Sequence, residues 1–235
     1  MNDRHIDDML RREAAAPHEV DPAVLARIQD AIGREMHPVR PLPAPWKLAA
    51  VLSGLCLSVG ILGAAVLGMH GLARLSAVEM ALIFPVLLAF IATAAAQSIA
   101  EVIPGSPRRI SSSLVSVFGS LALVAVFLLL FHDYRTERFV PQGLICLKAG
   151  LAHAAIAGAA AWLVLRRGFA VSPPGAGVAA GTLAALAGVS MLELHCPNLE
   201  AAHVIVWHVA VVPVSAILGW TYGKIRDLLK PGFAP

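Results

Sequence analysis

Charged side chains are scarce. Only 14% of the 235 residues are Asp, Glu, Lys or Arg and only 6% are aromatic, whereas ordinary soluble domains carry about 25% charged residues. With 58% apolar residues and a mean hydropathy of +0.75, a single water-soluble domain is excluded. Cysteine is scarce too: three residues cannot build a disulfide framework, and their spacing matches no zinc knuckle, so any cysteine chemistry must be local. No short apolar core with a small-residue cleavage site opens the chain, and the first hydrophobic segment is expected to stay as an anchor. No His-Glu-x-x-His, Gly-x-Ser-x-Gly or phosphate-cradling glycine loop is present, and no pair of carboxylates lies within an apolar run. These absences predict a protein that is not an enzyme. The few polar residues inside the apolar runs, with no evident pair of broken helices, also argue against a transporter.

What the sequence does have is long apolar runs. A helix needs about 20 predominantly apolar residues to cross a bilayer, because its backbone polar groups must be paired internally. Six stretches qualify, running from about Trp46 to Gly68, Val78 to Ala100, Ser111 to Phe131, Gly143 to Leu165, Gly175 to Leu194 and Ala201 to Tyr222. The expected fold is an all-α membrane protein, a six-helix bundle preceded by a short helical head. Residues 1–45 would be a cytoplasmic partner-binding segment with a proline-rich spacer, 46–223 the transmembrane domain and 224–235 a cytoplasmic tail. Small residues at helix-packing spacing (Gly60, Ala64, Gly68; Gly177, Gly181, Ala185, Gly188) mark expected seams between helices.

Positive charge sorts by side. The head, the second and fourth loops and the tail hold most Lys and Arg, including Arg108, Arg109, Arg166, Arg167, Lys224, Arg226 and Lys230. The other side has Arg74, Arg135 and Arg138, with Lys148 inside the fourth span. The positive-inside rule puts both termini in the cytoplasm. A net charge of +3 would suit nucleic acid in a soluble protein, but here it reports topology, and the expected contacts are the lipid bilayer and a protein partner, with no direct nucleic acid.

The head contains two candidate amphipathic helices. Ile6, Met9 and Leu10 share one face of the first. In the second, Asp21 caps, Pro22 takes the first helical position, and Val24, Leu25, Ile28 and Ile32 follow at helical spacing. Segments this short cannot bury their own stripes. They could lie on the membrane, but a near balance of acids and bases in the head fits docking into a groove on a soluble partner better. The stretch His37-Pro-Val-Arg-Pro-Leu-Pro-Ala-Pro45 reads as a polyproline spacer.

Most of the nine histidines collect on the side away from the head. His70, His132 and His195 flank spans, His203 and His208 lie in the sixth and His153 near the middle of the fourth. Cys146 and Cys196 share that side, whereas Cys56 reads as a packing residue inside the first span. The run from His195 and Cys196 to His203 and His208 is the densest set of metal-competent ligands, of a type that suits zinc, copper or iron. On a regular helix, five residues turn His203 from His208 by about 140°, so both can face one ion only if the helix starts irregularly. The alternative is histidines hydrogen-bonded across helices, with Cys196-Pro197 simply ending one. Lys148 and Glu193 could pair, or reach outward separately.

Pro38-Val-Arg-Pro-Leu-Pro before the first span, Gly143-Leu-Ile-Cys-Leu-Lys-Ala-Gly-Leu151 opening the fourth, Leu165-Arg-Arg-Gly168 closing it and Leu194-His-Cys-Pro197 between the fifth and sixth resemble the bacterial negative-regulator-of-sigma-F family, six-helix inner-membrane anti-sigma factors. The resemblance covers roughly residues 37 to 223, and the two cysteine motifs are its most specific part. It implies that the head binds an extracytoplasmic-function sigma factor and holds it away from RNA polymerase. It also implies that Cys146 and Cys196 sense heavy metals or oxidants, as a pair that a metal joins or oxidation modifies. The competing expectation is a membrane metal or haem redox protein using His195, Cys196, His203 and His208.

Overall fold

A computed structural model describes residues 7–9, 11, 21–35, 42–106, 110–134 and 138–229. Ile6, Leu10, residues 37–41 of the spacer, Arg108, Arg109, Arg135 and Lys230 lie outside the described residues. All regular structure among those described is helical, and the chain divides into two units, Met1–Pro41 and Leu42–Pro235.

In the first unit, residues 7–9 are helical with Met9 exposed, and α1 spans Pro22–Glu35. The Asp21 carboxylate accepts the Ala23 N–H at 2.8 Å, satisfying one of the free donors that every helix start leaves. One turn from the end, Arg34 pairs with Asp30 at i,i+4 spacing. The apolar stripe is uncovered within this unit: Leu25, Ile28 and Ile32 are exposed and Val24 is half-buried.

The second unit holds six helices long and apolar enough to cross a membrane: α2 (Pro45–Leu67), α3 (Ala77–Val102), α4 (Ser112–Leu130), α5 (Phe139–Leu165), α6 (Pro173–His195) and α7 (Ala201–Leu228). The chain is a multi-pass membrane protein. Three of the six helix starts carry a serine cap. Ser76 and Glu79 form a capping box on α3, the Ser111 hydroxyl accepts the Leu114 N–H, and the Ser172 hydroxyl accepts the Gly175 N–H ahead of α6.

Helix α6 is the axis of the bundle. Every residue from Thr182 to Leu194 is buried, whereas α2 to α5 each turn a broad apolar face outward, as helices bathed in lipid do. Its composition explains its position. A Cβ added to Gly188 would lie 2.2 Å from the Gly150 carbonyl oxygen of α5; at Gly181 it would lie 2.3 Å from the Ser215 oxygen of α7, and at Gly177 2.0 Å from the Gly219 oxygen. No side chain fits between these backbones, so three of the expected seam glycines are required by contact. Gly60 and Ala64 of α2 are also buried, with Gly60 facing Ser190. Gly68 differs from expectation: at φ 98° it terminates α2 in a conformation that suits glycine, and it is not part of a seam.

Helix α7 is irregular near its start. After Ala201–His203 the segment Val204–His208 is π-helical, with the Val209 N–H bonded to the Val204 carbonyl, and regular α-helix follows. Lys148 is exposed on α5 and Glu193 is buried on α6, so the two do not pair in the core. At this end of the bundle the chain after α2 is laced to α6: the Gly71 and Leu72 N–H groups donate to the His195 and Leu194 carbonyls, and His195 Nδ1 lies 2.7 Å from the Gly68 carbonyl.

Gly188→Ala should destabilise the bundle by about 1–3 kcal/mol, because the methyl forces α5 and α6 apart. Gly54→Ala, with nothing within 4 Å of the added carbon, should be neutral or stabilise by up to about 1 kcal/mol. Thermal unfolding of both variants in detergent checks the contrast.

Candidate metal and thiol site

Three elements converge beside the end of α6. Helix α5 contributes Cys146 near its start, the first residue after α6 is Cys196, and the irregular opening of α7 contributes His203 and His208. One nitrogen or sulfur atom from each of the four lies within 4.8 Å of the others, and all but Cys146 are fully buried. The Cys146 and Cys196 sulfurs are 3.6 Å apart and both thiols are free. Cys196 Sγ also lies 3.6 Å from His203 Nε2.

The π-helical segment is what brings the two histidines together. With hydrogen bonds spanning five residues, a five-residue separation makes just over one turn instead of leaving the rings on different faces. Their centroids stand 5.2 Å apart, nearly perpendicular. Beneath them Glu193 Oε1 meets His208 Nδ1 at 2.7 Å, with neither side chain more than 1% exposed. Two buried ring nitrogens, His203 Nδ1 and His208 Nε2, have no hydrogen-bond partner among the described residues, and His203 meets the Cys196 thiol through its other nitrogen, Nε2.

His195 stands apart from this set. Its Nδ1 is engaged by Gly68, its ring leans on His70 at 6.0 Å, and Cys146 occupies the fourth position that the linear run had suggested for it. His153 is held locally, with Nδ1 2.9 Å from the Ala149 carbonyl, and Cys56 is buried with its sulfur 3.4 Å from the Leu183 carbonyl. Sequence reasoning missed the Glu193–His208 pair, which joins two helices and leaves no linear signature. The five-residue spacing of His203 and His208 was the one available clue to the irregular helix.

The loop after Cys196 is shaped by polar contacts. Asn198 Oδ1 accepts the Glu200 N–H at 2.9 Å, its amide donates to Gln142 at 3.1 Å, and Arg74 donates to the Pro197 carbonyl at 3.2 Å. This loop forms one wall of an open cleft of about 770 Å³, bordered also by Glu79, His132 and Asp133. Pro197 to Glu200 line the cleft, while Cys196 itself is buried behind them.

The hydrogen bond with Cys146, together with burial, pushes the Cys196 thiol above its ordinary pKa, outweighing the opposing pull of His203 and His208. Because the thiolate is the nucleophile, Cys196 should alkylate slowly at neutral pH, with a midpoint above that of a free thiol. Cys146→Ala removes the leading cause and should move that midpoint down. The pH–rate profile of mass-resolved iodoacetamide labelling, on reduced and chelator-treated protein, measures it.

With the fold and the cluster defined, comparison with known proteins becomes informative. The family model described as negative regulator of sigma F matches residues 33–226, from the end of α1 to near the end of α7. No curated protein and no solved structure matches the chain. A match across all six membrane helices and both cysteine segments is decisive: the chain belongs to the negative regulator of sigma F family, which implies a sigma factor as its partner.

Proposed function

We propose that this protein is an inner-membrane anti-sigma factor that holds an extracytoplasmic-function sigma factor through its cytoplasmic head and releases it on a metal or oxidative signal. The observation that carries the reading is the convergence of Cys146 and Cys196, fifty residues apart in sequence, at 3.6 Å in a member of a sigma-regulating family. Residues 1–45 act as the binding segment, 46–223 as anchor and sensor, and 224–235 as a second cytoplasmic end. The sorting of Lys and Arg supports that orientation.

On the head, the exposed face of Leu25, Ile28 and Ile32, with Val24 beside it, supports helix-in-groove docking, and Met9 is exposed too, on the face that the sequence pattern assigns to Ile6 and Leu10. Alternating acids and bases around the stripe disfavour a simple membrane-surface role.

On the sensing side two chemistries share the thiols. A peroxide would take two electrons and two protons from Cys146 and Cys196, leaving a disulfide and, from hydrogen peroxide, two waters. The sulfurs would close from 3.6 Å to about 2.05 Å. A thiophilic ion would instead displace the two thiol protons and bridge the sulfurs. Moving a switch from 1:99 to 99:1 takes about 5.5 kcal/mol of differential binding, and structural zinc sites release about 10–16 kcal/mol on forming, so one ion suffices if only one of the two states brings the ligands together.

Full-length protein in nanodiscs should capture an extracytoplasmic-function sigma factor and block its transcription in vitro. Leu25→Asp or Ile28→Asp should weaken capture by about tenfold or more, since each loses a buried aliphatic contact worth about 1.5–3 kcal/mol. Cys146→Ser and Cys196→Ser should still capture but no longer release on metal or peroxide. Failure of the full-length protein to capture any such sigma factor overturns the proposal.

A further inference from the structure

The cluster is more specific than a pair of reactive thiols. A tetrahedral ion with sulfur at about 2.3 Å and nitrogen at about 2.05 Å sets edges of about 3.8 Å between two sulfurs and about 3.6 Å between sulfur and nitrogen. Cys146 and Cys196 stand 3.6 Å apart, and Cys196 and His203 also 3.6 Å. Both distances come within about 0.2 Å of those edges, and the four donor atoms lie within 4.8 Å of one another, so closing on an ion takes a small inward shift of the set. A disulfide, by contrast, needs the sulfurs at little more than half this separation. The donor set of two sulfurs and two imidazoles, with no oxygen among the four, is the one tetrahedral zinc takes, and it offers nothing to magnesium or calcium.

His208 shows how the set is held in readiness. A carboxylate accepts hydrogen bonds, so the 2.7 Å contact with Glu193 Oε1 places a proton on Nδ1, and in the neutral ring the lone pair is then on Nε2. That Nε2 is buried and without a hydrogen-bond partner among the described residues, a costly arrangement unless something occupies its lone pair. A carboxylate behind a ligating histidine is the usual means of orienting a metal-binding ring.

We propose that Cys146, Cys196, His203 and His208 form a closed tetrahedral site for a zinc(II)-class ion, in which Glu193 is the positioning residue that holds His208 Nε2 toward the two thiols. This rests on the metal-sensing reading above and narrows it to one ligand set and one class of ion. Binding releases the two thiol protons, and the two thiolates cancel the ion's charge, so the ion and its four ligands add no net charge to a site beside the hydrocarbon region, where an uncompensated charge is expensive. Four protein ligands leave no open coordination position, so the site holds an ion and does not activate water.

The test is cobalt(II) titration of the reduced full-length protein in detergent, followed by competition with zinc(II). Wild type should bind one cobalt per chain with thiolate charge-transfer absorption. Glu193→Leu, which removes the acceptor but keeps the core filled, should lower affinity about 10- to 100-fold. Glu193→Gln, whose amide oxygen can still accept from Nδ1, should recover most of that loss, a rescue that a purely structural role would not show in the absorption spectrum. Should Glu193→Leu fail to fold, Glu193→Asp, with its shorter arm, makes the same comparison with a smaller loss. If wild type gives no charge-transfer band, this site and the metal branch of the sensing reading both fall. If wild type binds but the Leu and Gln variants bind equally well, or lose affinity equally, the positioning role of Glu193 is overturned while metal sensing stands.

Discussion

Backbone-to-backbone contact along α6 is the constraint on which the rest of the structure depends. In lipid there is no hydrophobic drive pulling one apolar helix onto another, so cohesion comes from close approach and from interhelical polar contacts. Gly177, Gly181 and Gly188 let α6 meet α5 and α7 with no side chain between them, and this places α6 at the centre with its last turns inaccessible to lipid. A carboxylate can stand at Glu193 only because that position is so enclosed and because His208 meets it. The packing of small residues and the polar cluster are therefore two consequences of one arrangement.

The cluster in turn accounts for the irregular start of α7. A π-helical turn sacrifices regular hydrogen bonding, and such turns are found mostly where function requires them. Here the gain is specific, because it brings His203 and His208 into one cluster with the two thiols and lets one of them face Glu193. Glu193 and His208 satisfy one another between two helices, while one donor atom from each of Cys146, Cys196, His203 and His208 gathers within 4.8 Å of the others.

The six spans were legible because the requirement that reveals them, some twenty apolar residues with an internally paired backbone, is local to each segment. The seam glycines at 177, 181 and 188 were legible for a related reason, since helical spacing repeats along one chain. The site was only partly legible. The cysteines stood out through their motifs, but Cys146 joins the cluster only because α5 packs on α6, and His195, although adjacent to Cys196 in sequence, turns its Nδ1 to Gly68. The 140° argument against His203 and His208 sharing an ion was sound for a regular helix, and the chain escapes it by not being regular there. Glu193 had been weighed against Lys148, which faces outward, because partnership across helices depends on rotation about each axis and linear spacing does not specify that.

The hydrogen bond from His195 to the end of α2 has a mechanical meaning. It fastens the residue next to Cys196 to Gly68, and Gly68 closes the helix whose other end, Pro45, follows directly from the head's spacer in the chain. A helix of 23 residues is a stiff rod about 34 Å long. The hydrogen bond ties the residue beside the thiols, through one continuous helix that packs on α6 at Gly60, to the point where the membrane domain begins.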